Sequence, residues 1–251
     1  KKHLMSHPYS IGTVGTPWTT QEKQHWLQAQ SIKRSYQDNV ISKITELKKT
    51  FTVEQYGSLN YNERTFDLFA IKSPNWDITK PVALVTGGVH GYETSGVHGA
   101  LEFVEKFGQH YSQSFNLLVL PCLSPWGYET INRWNPHTVD PNRSFYHESP
   151  AQESQMAADY LAQYDENILC HIDLHETTDT DNSEFRPALA ARDGVVNHNW
   201  NIPDGFYLVG HSQKPQADFQ KAIIEEVAKV THIAPADEQG KLIGVPIEQF
   251  G

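Results

Sequence analysis

The chain has 251 residues, 38% of them hydrophobic and 20% charged, with a formal net charge of −10. That length suits one large α/β domain with a substantial core, and the acidic balance argues against nucleic acid or an anionic membrane as the main partner. No run approaches the roughly 20 apolar residues of a membrane span, and the opening Lys-Lys-His-Leu-Met lacks the apolar run of a signal peptide.

Residues 19–49 are predicted to be helical, with Thr20 as cap and Trp26, Ile32, Tyr36, Val40 and Ile44 near helical spacing. Gly57-Ser-Leu-Asn-Tyr-Asn reads as a turn. A strand follows at 65–71, where Phe66, Leu68 and Ala70 alternate with Thr65, Asp67 and Phe69. Three apolar runs begin at Val82, Phe115 and Asn167, and helices are predicted over 95–107, 150–164 and 215–230. Near-continuous apolar strands separated by helices predict an α/β fold, a mixed and largely parallel central sheet with helices on both faces. In the last helix Phe219, Ile223, Val227 and Val230 form the expected apolar stripe. Residues 124–145 read as a loop with three prolines, 176–204 as a long irregular loop, and 244–250 as a final strand. No repeat or boundary divides the chain, so a single domain over 1–251 is expected.

Cys122 and Cys170 lie in runs that read as buried strands, and two reduced thiols are expected, with a single disulfide as the alternative. A soluble protein is expected, with the cytoplasm favoured over the periplasm or secretion. The sequence leaves the oligomeric state open.

The chemistry gathers at strand ends. The run Val82-Ala-Leu-Val-Thr ends at Gly87-Gly88, and His90 and Glu93 follow three residues apart. Ligands of open α/β sheets bind at the carboxyl ends of strands. An imidazole and a carboxylate at that spacing can share one metal ion, and zinc accepts the pair with one further ligand and an open position. The third ligand is expected from His171-Ile-Asp-Leu-His175, where His175 lies nearest the strand end. Asp173 is placed to orient a metal-bound imidazole, His171 reads as structural, and His98 as packed or solvent-facing. Arg133 and Arg143 fall near the same strand ends, and a guanidinium fork suits a carboxylate.

These segments together resemble the zinc carboxypeptidases, the carboxypeptidase A-like metallopeptidases. His90-Gly-Tyr-Glu93 looks like the family's His-Gly-x-Glu motif. Ser124-Pro-Trp-Gly-Tyr-Glu is similar to its Asn-Pro-Asp-Gly-Tyr-Glu segment, Val139-Asp-Pro-Asn-Arg-Ser-Phe to its Val-Asp-x-Asn-Arg-Asn-Trp segment, and Asp173-Leu-His175 to its third-ligand strand. The match covers most of residues 50–250. It implies one zinc ion on His90, Glu93 and His175, and a substrate carboxylate on Asn142 and Arg143. It further implies Arg133 as stabiliser of the oxyanion and Glu248, in Val245-Pro-Ile-Glu-Gln-Phe, as general base, with Glu176 the second candidate. The implied activity is cleavage of a peptide's C-terminal residue by metal-activated water.

This sequence departs from the family in two places. No tyrosine between His211 and Gly251 matches the substrate-capping tyrosine, Tyr207 being the nearest earlier one. The family also continues into a final helix where this chain reaches Gly251, which implies a domain incomplete at its C-terminus. The related succinylglutamate desuccinylase and aspartoacylase group shares His-x-x-Glu, Asn-Arg and Asp-Leu-His, so an N-acyl amino acid deacylase is the alternative. A zinc-bearing peptide-binding protein without catalysis is the second alternative.

Overall fold

Thr19, not Thr20, caps the first helix in the computed structural model, which describes residues 9–61, 63–198, 201–243 and 245–246. The Thr19 side chain accepts from the Gln21 amide, and Glu22 accepts from the Thr19 amide at 2.9 Å. Helix α1 (Thr20–Gln28) stops there instead of running on to residue 49. The backbone N–H groups of Lys33 and Arg34 donate to the Glu129 carbonyl at 2.8 and 3.3 Å, and that of Tyr36 to the Glu129 carboxylate at 2.8 Å. Amides used in this way cannot build a helical ladder, so tertiary pairing overrides the apolar spacing, and Ile32 is 60% exposed. The chain coils again as a π turn over Gln37–Ile41 and as α2 (Ser42–Leu47).

β1 (Thr52–Tyr61) and β2 (Arg64–Lys72) form an antiparallel hairpin. The turn expected at Gly57 is therefore strand. Gly57 follows a bulge after Gln55, and a Cβ on it would lie 2.8 Å from Met156 Sδ. β3 (Val82–Gly87) leads into α3 (Thr94–Tyr111), and β4 (Asn116–Leu120) into α4 (Pro125–Thr130). A loop was expected at α4. Pro125 at its start pre-sets a helical φ, and all six residues are buried. α5 (Gln152–Leu161) then precedes β5 (Ile168–Leu174).

The five strands form one mixed sheet, as expected, in the order β1-β2-β4-β3-β5. β3 runs parallel to both β4 and β5, while β2 runs antiparallel to β4. Val82, Leu84, Leu118 and Leu120 pack on one face with Ala157 of α5 and Tyr164. Val85, on the other face, lines a groove with Gly96, Gly99 and Phe103 of α3. Each aliphatic side chain fully buried in this core contributes about 1.5–3 kcal/mol. β5 departs from its expected burial. It is an edge strand among the described residues, with Leu169 66% exposed. An apolar run alone cannot report how many neighbours a strand will have. Both cysteines are free thiols. Cys122 is buried and its thiol is pushed up to about 12 by burial, whereas Cys170 is only partly buried.

The chain clusters into two compact units, Trp18–Glu176, which holds the sheet, and Lys1–Pro17 with Thr177–Gly251. In the second, the stretch expected to be irregular contains a π turn, Asp181–Phe185, and α6 (Arg186–Asp193), punctuated by Pro187 in its first turn and Gly194 at φ +67° after its end. α7 (Ala217–Val227) buries no residue, and Phe219 of the predicted stripe is 44% exposed. Its periodicity marks a helix but not a burial partner. β6 (Lys241–Leu242) pairs with β7 (Val245–Pro246), while Gly244 and the rest of the expected final strand, Glu248 included, lie outside the described residues. No helix among the described residues is long and apolar enough to cross a membrane.

Candidate metal centre

The loop after β3 is built by close backbone approach. Gly88 has φ +64°, a conformation that favours glycine. The Leu123 and Ser124 amides donate to the Gly87 and Gly88 carbonyls at 3.0 and 2.9 Å, and the Ser124 hydroxyl donates to the Val89 carbonyl at 2.6 Å. A Cβ on Gly91 would lie 2.0 Å from the Tyr128 nitrogen, so only glycine lets this loop lie against α4. The result is that His90 and Glu93 are 2% and 3% exposed. β5 brings the third group. Its Leu174 pairs with Gly87, so His175 emerges one residue beyond the strand, with its ring centroid 5.5 Å from that of His90.

His90, Glu93 and His175 offer ligand atoms that all lie within 4.8 Å of one another. His90 Nδ1 is 2.5 Å from Glu93 Oε2, and His175 Nδ1 is 3.0 Å from Glu93 Oε1. The opposite ring nitrogens are held by carboxylates, His90 Nε2 by Asp140 at 2.7 Å and His175 Nε2 by Asp173 at 2.6 Å. Burial raises the Glu93 carboxyl, but the imidazoles of His175 and His90 outweigh it and leave the group at about 2. Burial lowers His175, but Asp173 and Glu93 outweigh it and raise the imidazole to about 10. A bound cation has to displace that proton.

The donor set fits zinc. Two imidazoles and one carboxylate leave a fourth position open, the arrangement of catalytic zinc sites. His90 Nδ1 and Glu93 Oε2 are buried and lie 2.5 Å apart, so the two donor atoms face one another inside the cluster. The two aspartates fix which nitrogen of each ring faces inward.

Asp140 joins this centre to the arginines. Its Oδ2 accepts from Arg133 Nε at 3.2 Å, and Arg133 Nη1 reaches the Tyr92 hydroxyl at 3.4 Å. Burial lowers the Arg133 pKa, but the Asp140 charge outweighs it and raises the guanidinium above its usual value. Burial likewise raises the Asp140 carboxyl, yet His90 and Arg133 hold it well below the usual carboxylate range. Asp140 also caps the short 3-10 turn Pro141–Arg143 by accepting from the Asn142 amide at 2.9 Å. That turn carries Asn142, half-buried, and Arg143, exposed.

The other candidates have other partners or roles. His171 Nε2 is 2.8 Å from the Thr86 hydroxyl and outside the ligand cluster. His98 Nε2 is 2.9 Å from the Tyr128 hydroxyl. Tyr207 is hydrogen-bonded to Thr177. Glu176 donates its backbone amide to Glu93 at 2.7 Å. Glu248 lies outside the described residues.

A family profile described as zinc carboxypeptidase matches residues 39–168, more than half of the chain. The chain belongs to the zinc carboxypeptidase family. Among solved structures, a protein of Shewanella amazonensis assigned as a metallopeptidase is 19% identical with a TM-score of 0.61, over 88% of this chain and 82% of its own. This likeness is one of fold. A second protein so assigned, from Shewanella denitrificans, is 23% identical over 54% of this chain, with a TM-score of 0.47. Carboxypeptidase A of Helicoverpa armigera is 16% identical over 66% of this chain and 47% of its own, with a TM-score of 0.42. The chain spans about half the length of the Shewanella denitrificans protein, 51%. No curated protein sequence matches it significantly.

Within this zinc carboxypeptidase fold, two contributors are given no role by the sequence. Asp140 stands inside Val139-Asp-Pro-Asn-Arg, and its place directly before the Asn-Arg pair is the signal that could have found it. Arg34 carries no motif at all, and only its three-dimensional contacts single it out.

Proposed function

We propose that the protein is a zinc-dependent metallocarboxypeptidase that removes the C-terminal residue of a peptide. The observation that carries this reading is the His90–Glu93–His175 cluster, whose ligand atoms all lie within 4.8 Å of one another. A zinc ion held by these residues supplies Lewis acidity to the scissile carbonyl and to water. Arg143, an exposed fixed cation, binds the substrate's free carboxylate with Asn142 beside it. That contact fixes the scissile bond relative to the metal ligands. Arg133, held by Asp140 and Tyr92, donates to the carbonyl oxygen as negative charge develops on it. Glu248 takes the proton from water and passes it to the leaving amine. Asp140 and Asp173 keep both imidazoles oriented throughout.

The test is hydrolysis of hippuryl-type peptides against N-acyl amino acids, before and after zinc is stripped by a chelator. Peptide cleavage that is lost on stripping and restored by zinc is expected. Cleavage of N-acyl amino acids alone would instead identify a deacylase, and zinc binding with neither reaction a binding protein. Glu248→Gln is expected to retain zinc and lower kcat on the order of 10²–10⁴-fold. Full activity in that variant would move the base elsewhere, with Glu176 the next candidate.

A further inference from the structure

We infer that Arg34 is a positioning residue for the metal loop, and that its guanidinium sets the affinity and geometry with which His90 and Glu93 hold zinc. The inference rests on the metal reading above. Arg34 Nε donates to the Tyr128 carbonyl at 2.6 Å, Nη1 to the Thr94 hydroxyl at 2.7 Å, and Nη2 to the Gly91 carbonyl at 3.0 Å. Gly91 lies between the two ligands, and Thr94 directly follows Glu93. The Thr94 hydroxyl in turn donates to the Tyr92 carbonyl at 3.2 Å. The guanidinium carbon stands 3.7 Å above the Tyr128 ring.

A guanidinium is planar, and its N–H directions are fixed relative to one another. Bonds from all three nitrogens therefore lock the metal loop, the start of α3 and α4 into one arrangement. Arg34 is itself pinned, since its backbone amide and that of Lys33 donate to the Glu129 carbonyl. Its side-chain acceptors are two carbonyls and a hydroxyl, with no carboxylate among them. The contact thus organises backbone rather than balancing an acid. Arg34 also precedes the residues that the family profile matches, 39–168.

The sign of the effect separates this role from a charge effect. A cation near a metal site opposes metal binding, so removing its charge alone would tighten zinc. Loss of the clamp loosens it. The experiment uses the full chain, with zinc affinity from chelator competition and the visible spectrum of the cobalt-substituted protein. Arg34→Met is expected to bind zinc roughly tenfold more weakly, with an altered cobalt spectrum and an unchanged far-UV CD spectrum. Arg34→Lys, which keeps the charge but cannot span three acceptors, is expected to weaken binding similarly, and decides the matter if the methionine variant does not fold. Wild-type or tighter zinc affinity in a folded variant would overturn the inference. A wild-type protein that binds no zinc would instead overturn the metal reading beneath it.

Discussion

The two halves of the proposed metal centre are built by different means. His90 and Glu93 sit on a loop stitched to the β4–α4 connection, and they are almost wholly buried. His175 stands at the end of a strand that lies at the sheet edge among the described residues, with 35% of its side chain exposed. The first half is fixed by packing and close backbone approach. Both rings are held by carboxylates on their two nitrogens, His90 by Asp140 and Glu93 and His175 by Asp173 and Glu93, but His175 lacks the enclosing packing. A shared ligand function therefore does not imply a shared structural cost on mutation.

The largest effects should divide along that line. His90→Ala and His175→Ala are each expected to reduce bound zinc to background, because each removes one of three protein ligands. Only His90→Ala should strongly destabilise the metal-free protein, by about 3 kcal/mol. It opens a buried site and takes a partner from Asp140 and Glu93. His175→Ala also removes a partner from Glu93 and Asp173, but from a part-exposed site, and should cost less, about 1 kcal/mol, the ordinary value for a single substitution. Urea unfolding of both chelator-treated variants measures the difference. Equal destabilisation would show that the exposed half is as tightly built as the buried one.

The next effect lies with substrate rather than metal. Arg143→Met is expected to lower kcat/KM roughly 10–100-fold, the value of a lost hydrogen bond to a charged group. Zinc content should not change. A substrate whose terminal carboxylate is amidated should not distinguish the variant from the wild type. If it does, the guanidinium acts on something other than that carboxylate.

How far the centre was legible follows the range of its interactions. His90 and Glu93 announce themselves because a strand end, glycines and two ligand types fall within a few residues. Position along the strand favours His175 over His171, and His171 Nε2 lies 2.8 Å from the Thr86 hydroxyl. Asp140 and Arg34 reach the metal loop across 50 and 57 residues of sequence, and no local periodicity encodes such pairings. The same limit explains the fold. The parallel strands were legible from their apolar runs, but the break after Gln28 depends on Glu129, far away in the chain. The exposure of β5 depends on which strands flank it, which its own residues cannot specify.

The smallest effect tests whether polar contacts alone orient His175. Asp173 Oδ2 holds the ring nitrogen, and Oδ1 accepts from the Thr86 hydroxyl at 2.6 Å. Asp173→Asn keeps the shape and an acceptor for Thr86 but removes the charge that makes the imidazole a better donor. Zinc affinity should fall about tenfold, with the metal-free fold unaffected. His171→Ala serves as the control, since that ring also touches Thr86 but contributes no ligand atom to the cluster. Its zinc affinity should stay near that of the wild type. If Asp173→Asn moves affinity no more than the control does, then the pairing of β5 with β3 orients the ring by itself. In that case both halves of the centre are formed by backbone packing, and the contrast between them reduces to exposure.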